Sequence, residues 1–381
     1  MKMHQVYRSH FLAPVQGRYI TMEDVLPLLK NNTQIEFLKS GVSEKGKEIP
    51  VLKLGTGSKK VLAWSQMHGN ESTTTKAVLD FFQFIDQKEV FQKEIEIFLN
   101  THTLYIVPIL NPDGAEAYTR ENANNVDLNR DAKALTQKES TLLHNLFTEI
   151  EPDVCLNLHD QRTIYGLDTG EAATISFLAS SANTDRTVTN ARKTAMKYIV
   201  EMYDMLQKYI PGQVGRYDDT FNDNCVGDKF TAAGVPTILF EAGHVPGDYQ
   251  REKTRAFIFY ALLELFGITT SEENGVKDYK RYFTIPENKK NLRDVILRNV
   301  YLAQEKRAVS IAIQYQEQLI DKRIQFIPVI EAVGDLSNYK GHTEIDLNAK
   351  EILINSQEKV AIGEKILTIH YKNNGKEIIF Q

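Results

Sequence analysis

Four short apolar runs in this chain each end in a polar side chain suited to binding a metal or moving a proton, and this constrains the fold more than any other feature. The runs are KVLAWSQMHG, HTLYIVPILNPDG, PDVCLNLHD and VPTILFEAG. Between them the pattern changes to helical spacing, with Ala77, Val78, Phe81, Phe82 and Ile85 on one face of a first helix and Leu142, Leu143, Leu146, Phe147 and Ile150 on that of a second. Two more helices are predicted over about Ala191 to Tyr209 and Glu252 to Phe266. Strand-like runs alternating with amphipathic helices predict an α/β fold with a largely parallel central sheet flanked by helices. In such sheets ligands bind at the carboxyl ends of the strands, where rigid elements present side chains to a crevice.

The loaded ends are His68 and Glu71 after the first run, Asn111-Pro112-Asp113-Gly114 after the second, His159 closing the third and Glu241 closing the fourth. Catalytic zinc takes three protein ligands and keeps a fourth position open, and two His with one Glu is an established set. Gly69 is expected to allow the sharp turn that aims His68 and Glu71 at one ion. His159 is the expected third ligand, because VCLNLH repeats the strand-then-polar layout of AWSQMH. His102 begins its strand, His144 lies on a helix, and His4, His10, His342 and His370 fall in terminal or accessory regions. His244, three residues past Glu241, is the remaining alternative.

The segment NPDGAEAYTRENANNVDLNRDA carries Arg120, Asp127, Asn129 and Arg130. Turn residues of this kind make an ordinary polar loop. In a functional reading Arg120 stabilises an oxyanion, Asn129 and Arg130 clamp a substrate carboxylate, and Asp127 holds the far nitrogen of a metal-binding imidazole.

Composition narrows the partners. A net charge of −5 over 381 residues, with no basic stripe, argues against nucleic acid. No apolar stretch reaches the roughly 18 residues of a membrane span. The N-terminal residues lack a signal-peptide pattern, so a cytoplasmic location is expected. Cys155 and Cys225 have no C-x-x-C spacing and are read as free thiols. After Phe266 a polar, glycine-containing linker, GITTSEENGVKDYK, leads to alternating runs such as DVILRNVYLA, KEILINS and KILTIHY. The expected division is a catalytic domain over residues 1–270 and a small β-rich accessory domain over 276–381.

Taken together, His68-x-x-Glu71, Asn111 to Gly114, Arg120 six residues later, Asp127-x-Asn129-Arg130, the distal His159 and the late strand-end Glu241 resemble the zinc carboxypeptidase family, whose best-known member is carboxypeptidase A. The resemblance covers about residues 30 to 268. It implies a mixed eight-stranded sheet flanked by helices, one Zn2+ ion, and removal of residues from peptide C-termini. It further implies that Glu241 is the general base toward a zinc-bound water, that Arg120 shares the developing oxyanion, and that Asn129 and Arg130 hold the terminal carboxylate. Two departures stand out. The family's tyrosine, some twenty residues before the catalytic Glu, has no assigned counterpart here, where Asp219 lies near that spacing and Tyr217 is the nearest Tyr. The region beyond Phe266 has no counterpart in the digestive enzymes.

The loop before Glu241 contains Asp218, Asp219, Asp223 and Asp228, which either select a basic terminal residue, including lysine or diaminopimelate in cell-wall peptides, or are simply solvated. The competing functions are an N-acyl-amino-acid deacylase of the aspartoacylase or succinylglutamate desuccinylase type, which shares His-Gly-Asn-Glu and Asp-Leu-Asn-Arg, and a non-catalytic module that binds peptide termini. Oligomeric state is left open by the sequence.

Overall fold

The computed structural model describes residues 3–269 and 278–379. Most of the expected linker, residues 270–277, lies outside the described residues. The chain forms two compact units, one of Met1–Gln161 with Ala173–Asn288 and one of Arg162–Ala172 with Lys289–Gln381.

In chain order the first unit contains helices α1 (Met3–His10) and α2 (Met22–Lys30), then strand β1 (Glu36–Phe37). A small hairpin follows, of β2 (Gly41–Val42) and β3 (Glu48–Ile49). Next come β4 (Leu52–Leu54), β5 (Lys59–Ser65), α3 (Thr73–Gln87), α4 (Gln92–Thr101) and β6 (His102–Val107). Helices α5 (Pro112–Ala117) and α6 (Lys138–Ile150) lead to β7 (Val154–Asp160) and β8 (Ile175–Ala179). The unit continues through α7 (Asn190–Leu206), β9 (Val214–Arg216), α8 (Val226–Ala232), β10 (Thr237–Ala242) and α9 (Glu252–Leu265).

Eight strands make one twisted sheet in the order β1-β4-β6-β5-β7-β10-β8-β9. The centre, β6-β5-β7-β10, is parallel. β4 and β8 run antiparallel to their inner neighbours, so the sheet is mixed. Every residue of β7 and β10 is buried, as expected of parallel strands covered on both faces. One face packs against α3, α7 and α9 through Val78, Phe81, Ile199, Phe259 and Leu262. The other packs against α6 and α8 through Trp64, Leu143, Val226 and Phe230. The crossover between β7 and β10 places strand ends side by side that are far apart in sequence.

A buried ionic cluster fastens the N-terminal segment to this sheet's helical layer. Asp80 on α3 and Arg255 on α9, both with fully buried side chains, form two hydrogen bonds of 2.6 Å. Tyr7 of α1 donates to the same carboxylate, at 3.1 Å. Leaving one charge of a buried pair without its partner costs about 3–5 kcal/mol. Arg255→Met is therefore expected to lower unfolding free energy by about that amount, read from urea denaturation curves, with the Asp80→Asn/Arg255→Met double variant recovering part of the loss.

The second unit is β-rich, with a five-stranded sheet of β11 (Leu292–Leu302), β12 (Arg307–Ile320), β13 (Arg323–Gly334), β14 (Lys340–Ile354) and β15 (Ile369–Tyr371) in the order β13-β12-β11-β14-β15. Its own core contains Val295, Leu297, Ile311, Ile313, Ile330, Leu347 and Ile352. The strands are longer than the sequence runs suggest: QYQEQLI at the end of β12 pairs residue by residue with β13, although only Gln314 in it is buried.

Candidate metal centre and active site

The tip of β5 and the start of α3 are built by close backbone packing. Gly69 has an ordinary φ, and its importance is clearance: a Cβ there would lie 1.9 Å from the carbonyl carbon of Gly114. The left-handed turn falls instead at Gln66, with φ 48°. Asn111 and Asp113 serve this packing. The Asn111 side chain accepts from Gly114 N at 2.8 Å and donates to the Met67 carbonyl at 3.2 Å, and Asp113 accepts from Lys45 N at 3.0 Å. The Asn-Pro-Asp-Gly segment thus supports the His68 turn from beneath.

His68, Glu71 and His159 converge, with one potential ligand atom from each lying within 4.8 Å of the others. Nδ1 of His68 is 2.8 Å from Glu71 Oε1, and Nδ1 of His159 is 2.8 Å from Glu71 Oε2. The two Nδ1 atoms are 3.1 Å apart. His68 Nε2 donates to Asp127 Oδ1 at 3.0 Å, which leaves the lone pair of a neutral imidazole on Nδ1, facing inward. Three electron-pair donors therefore point at one another across a buried space. A cation about 2.0–2.2 Å from each would place tetrahedral ligand atoms about 3.3–3.6 Å apart, a few tenths of an ångström wider than the 2.8–3.1 Å between these atoms. The donor set, the converging lone pairs and the carboxylate behind His68 fit a zinc ion. Among the described residues this is the one His/Cys/Asp/Glu group with such geometry. His244 stands apart from it, with its ring against Tyr249.

The local charges couple these groups. Burial pulls His68 down, but the negative charge of Glu71 and bonds to Asp127 and Glu71 outweigh it and raise its pKa above the ordinary imidazole value. Burial dominates for His159 and lowers its pKa. Glu71 is buried, which by itself favours the neutral acid, yet the two imidazoles hold its carboxyl well below the usual range. Asp127 is likewise held low, as the bond from His68 and the nearby guanidinium groups overcome its partial burial.

Arg120 lies beside this cluster, its guanidinium donating to Glu71 Oε1 at 3.3 Å and, through Nε, to Asp127 Oδ2 at 3.1 Å. Asn129 follows in a short 3-10 turn that Asp127 caps at 2.9 Å, and its side-chain oxygen accepts from Val226 N at 3.0 Å, tying the turn to α8. Arg130 is exposed and donates to its neighbour's carbonyl at 2.7 Å and to Cys225 Sγ at 3.1 Å. Cys155 and Cys225 are both free thiols.

Glu241 sits on β10 directly opposite His159 on β7. Its side chain is buried and Oε2 has no hydrogen-bond partner among the described residues. Burial, reinforced by the charges of Glu71 and Asp160, pushes its carboxyl well above the ordinary value. The acidic loop ahead of it is internally committed. Asp219 pairs with Arg186 and Arg192, Asp223 with Lys133, Asp228 accepts from Ser181 N and Asn222 N, and Asp218 accepts from Thr220. Asp219 and Asp223 thus have cationic partners of their own, whereas Asp218 and Asp228 accept from neutral groups.

Comparison with known proteins agrees with this geometry. Residues 28–213 match the family described as zinc carboxypeptidase. Carboxypeptidase M of Mus musculus is 28% identical over 204 residues, covering 46% of this chain and 46% of that protein. Carboxypeptidase 2 of Trichophyton rubrum is 26% identical over 152 residues, covering 37% of this chain and 28% of that protein. The chain thus spans less than half the length of these curated relatives. A metallo-carboxypeptidase from Pseudomonas aeruginosa has the same fold, with a TM-score of 0.51 at 18% identity over 65% of this chain and 70% of that one. No described helix is long and apolar enough to cross a membrane. Over residues 28–213, which carry the convergent His-Glu-His cluster, this chain matches the zinc carboxypeptidase family.

Proposed function

We propose that the chain is a zinc-dependent metallocarboxypeptidase that hydrolyses the C-terminal amide bond of peptides. The observation that carries this reading is the convergence of His68, Glu71 and His159 with Asp127 behind His68 and Glu241 on the adjacent strand. His68, Glu71 and His159 would hold one Zn2+. When bound, the ion supplies a Lewis acid for the scissile carbonyl and makes water more acidic.

The remaining work falls to the chain's own side chains. Glu241, unpartnered at Oε2 and with its pKa pushed upward, takes the proton from the attacking water and returns it to the leaving amine. Arg120 offers a guanidinium to the negative charge that develops on the carbonyl oxygen. Asn129 and Arg130 hold the terminal carboxylate, restricting cleavage to the chain end. The cationic partners of Asp219 and Asp223 speak against those two carboxylates serving a basic terminus. The division into a catalytic domain over 1–270 and an accessory domain over 276–381 belongs to this reading.

The test is product identification on a panel of peptides and N-acyl amino acids. Release of single C-terminal amino acids, abolished by a chelator and restored by zinc, is expected. Hydrolysis of N-acetylaspartate or N-succinylglutamate without peptide cleavage would move the function to the deacylases.

Acid should strip the metal. A protonated imidazole cannot ligate, and the His68 pKa lies above the ordinary value of about 6.5. Zinc bound at neutral pH is therefore expected to dissociate progressively as pH falls through that range, measured by metal analysis after dialysis at pH steps. Full retention at pH 4 would rule out imidazole ligands.

A further inference from the structure

Residues 3–21 precede the family match and its expected machinery, yet part of this segment runs along the back of the metal cluster. Arg18 is buried, with its guanidinium 3.7 Å from Asp160, the residue after His159. The same Nη2 reaches the carbonyl of Asn70, between His68 and Glu71, at 3.5 Å. The Arg18 carbonyl accepts from Ser72 Oγ at 2.7 Å, and the Ile20 carbonyl accepts from Gln66 Nε2 at 2.8 Å. Asp160 links these contacts to the ligands. Its carboxylate accepts from Thr73 N at 3.0 Å and Thr73 Oγ1 at 2.6 Å, at the start of α3, while its own backbone N–H donates to Glu71 Oε2 at 3.1 Å.

We infer that Arg18 is a positioning residue for the metal centre: by bridging the Asn70 carbonyl and the Asp160 carboxylate, it fixes the turn carrying His68 and Glu71 against the strand end carrying His159. The ligands come from two chain segments that are joined at the site by the bond from Asp160 N to the Glu71 side chain and by those from Thr73 to the Asp160 carboxylate. Arg18 adds a charged link between those segments from a third. A guanidinium suits this role because its Nη2 carries two N–H donors, one for each acceptor, held in a rigid plane, whereas an ammonium sits on a flexible stem. The inference rests on the zinc reading above.

The experiment compares wild type, Arg18→Met and Arg18→Lys as full-length proteins. Zinc dissociation constants are read by chelator competition, the visible spectrum is recorded after cobalt substitution, and melting temperature is measured without metal. Arg18→Met is expected to weaken zinc binding by about 10- to 100-fold, the range for residues that orient ligands, and to alter the cobalt spectrum. Arg18→Lys retains the charge opposite Asp160 and is expected to fold like wild type while binding zinc about tenfold more weakly. It keeps the inference testable should Arg18→Met fail to fold. Wild-type zinc affinity and an unchanged cobalt spectrum in Arg18→Lys would overturn the inference and leave Arg18 a structural ion-pair partner. If wild type itself binds no zinc, the zinc reading falls and this inference falls with it.

Discussion

Glu241→Gln is expected to lower kcat by about 100- to 10,000-fold while leaving KM and zinc content close to wild type, the loss typical of removing a positioned general base. The substitution keeps size and shape and removes only the capacity to accept a proton. Glu241 Oε2 makes no hydrogen bond among the described residues, so the variant forfeits no internal contact there. The carboxylate is also buried near Glu71 and Asp160, whose charges oppose its own. Neutralising it relieves that repulsion, and the metal-free variant should melt at or above the wild-type temperature. Loss of activity with gain of stability is the signature of a group strained for function. A variant retaining wild-type kcat would assign the proton transfer to another residue.

The second large effect is loss of a ligand. His159→Ala removes one of three donors to the ion and is expected to weaken zinc binding by more than about 100-fold, since even residues that only orient ligands cost about 10- to 100-fold. Asp127→Asn provides the graded comparison. It leaves His68 in place but replaces the carboxylate that accepts from its Nε2, and should fall in that lower range. Equal losses in the two variants, or none in His159→Ala, would contradict the assigned roles. Zinc titration of the purified proteins, monitored by competition with a chromogenic chelator, separates these outcomes independently of any substrate.

The residues that converge on the cluster were legible because each combines reactive chemistry with a position at a strand's carboxyl end. His68 and His159 close runs that read plainly as strands, and Glu71 follows at a spacing that reaches the same point. Less legible was the reason for neighbouring residues. Gly69 suggests a turn, but its role is to let two backbones approach, a contact set by α5 some 45 residues later in the chain. The four loop aspartates suggest an acidic subsite, while the cationic partners of two of them, Arg186 and Arg192 for Asp219 and Lys133 for Asp223, are brought near only by the fold. Arg18 gives no local signal at all: an isolated arginine before the first predicted strand becomes meaningful only when Asp160 and Asn70 are seen beside it. Periodicity reports local structure and which face is buried, whereas pairings across the chain depend on the packing of whole layers.

The direct measurement is anomalous scattering at the zinc absorption edge from crystals of the full chain grown with stoichiometric zinc. One peak is expected among Nδ1 of His68, Nδ1 of His159 and the Glu71 carboxylate, at about 2.0–2.2 Å from each. Density showing these three side chains around no metal, with zinc bound elsewhere or absent, would contradict the account.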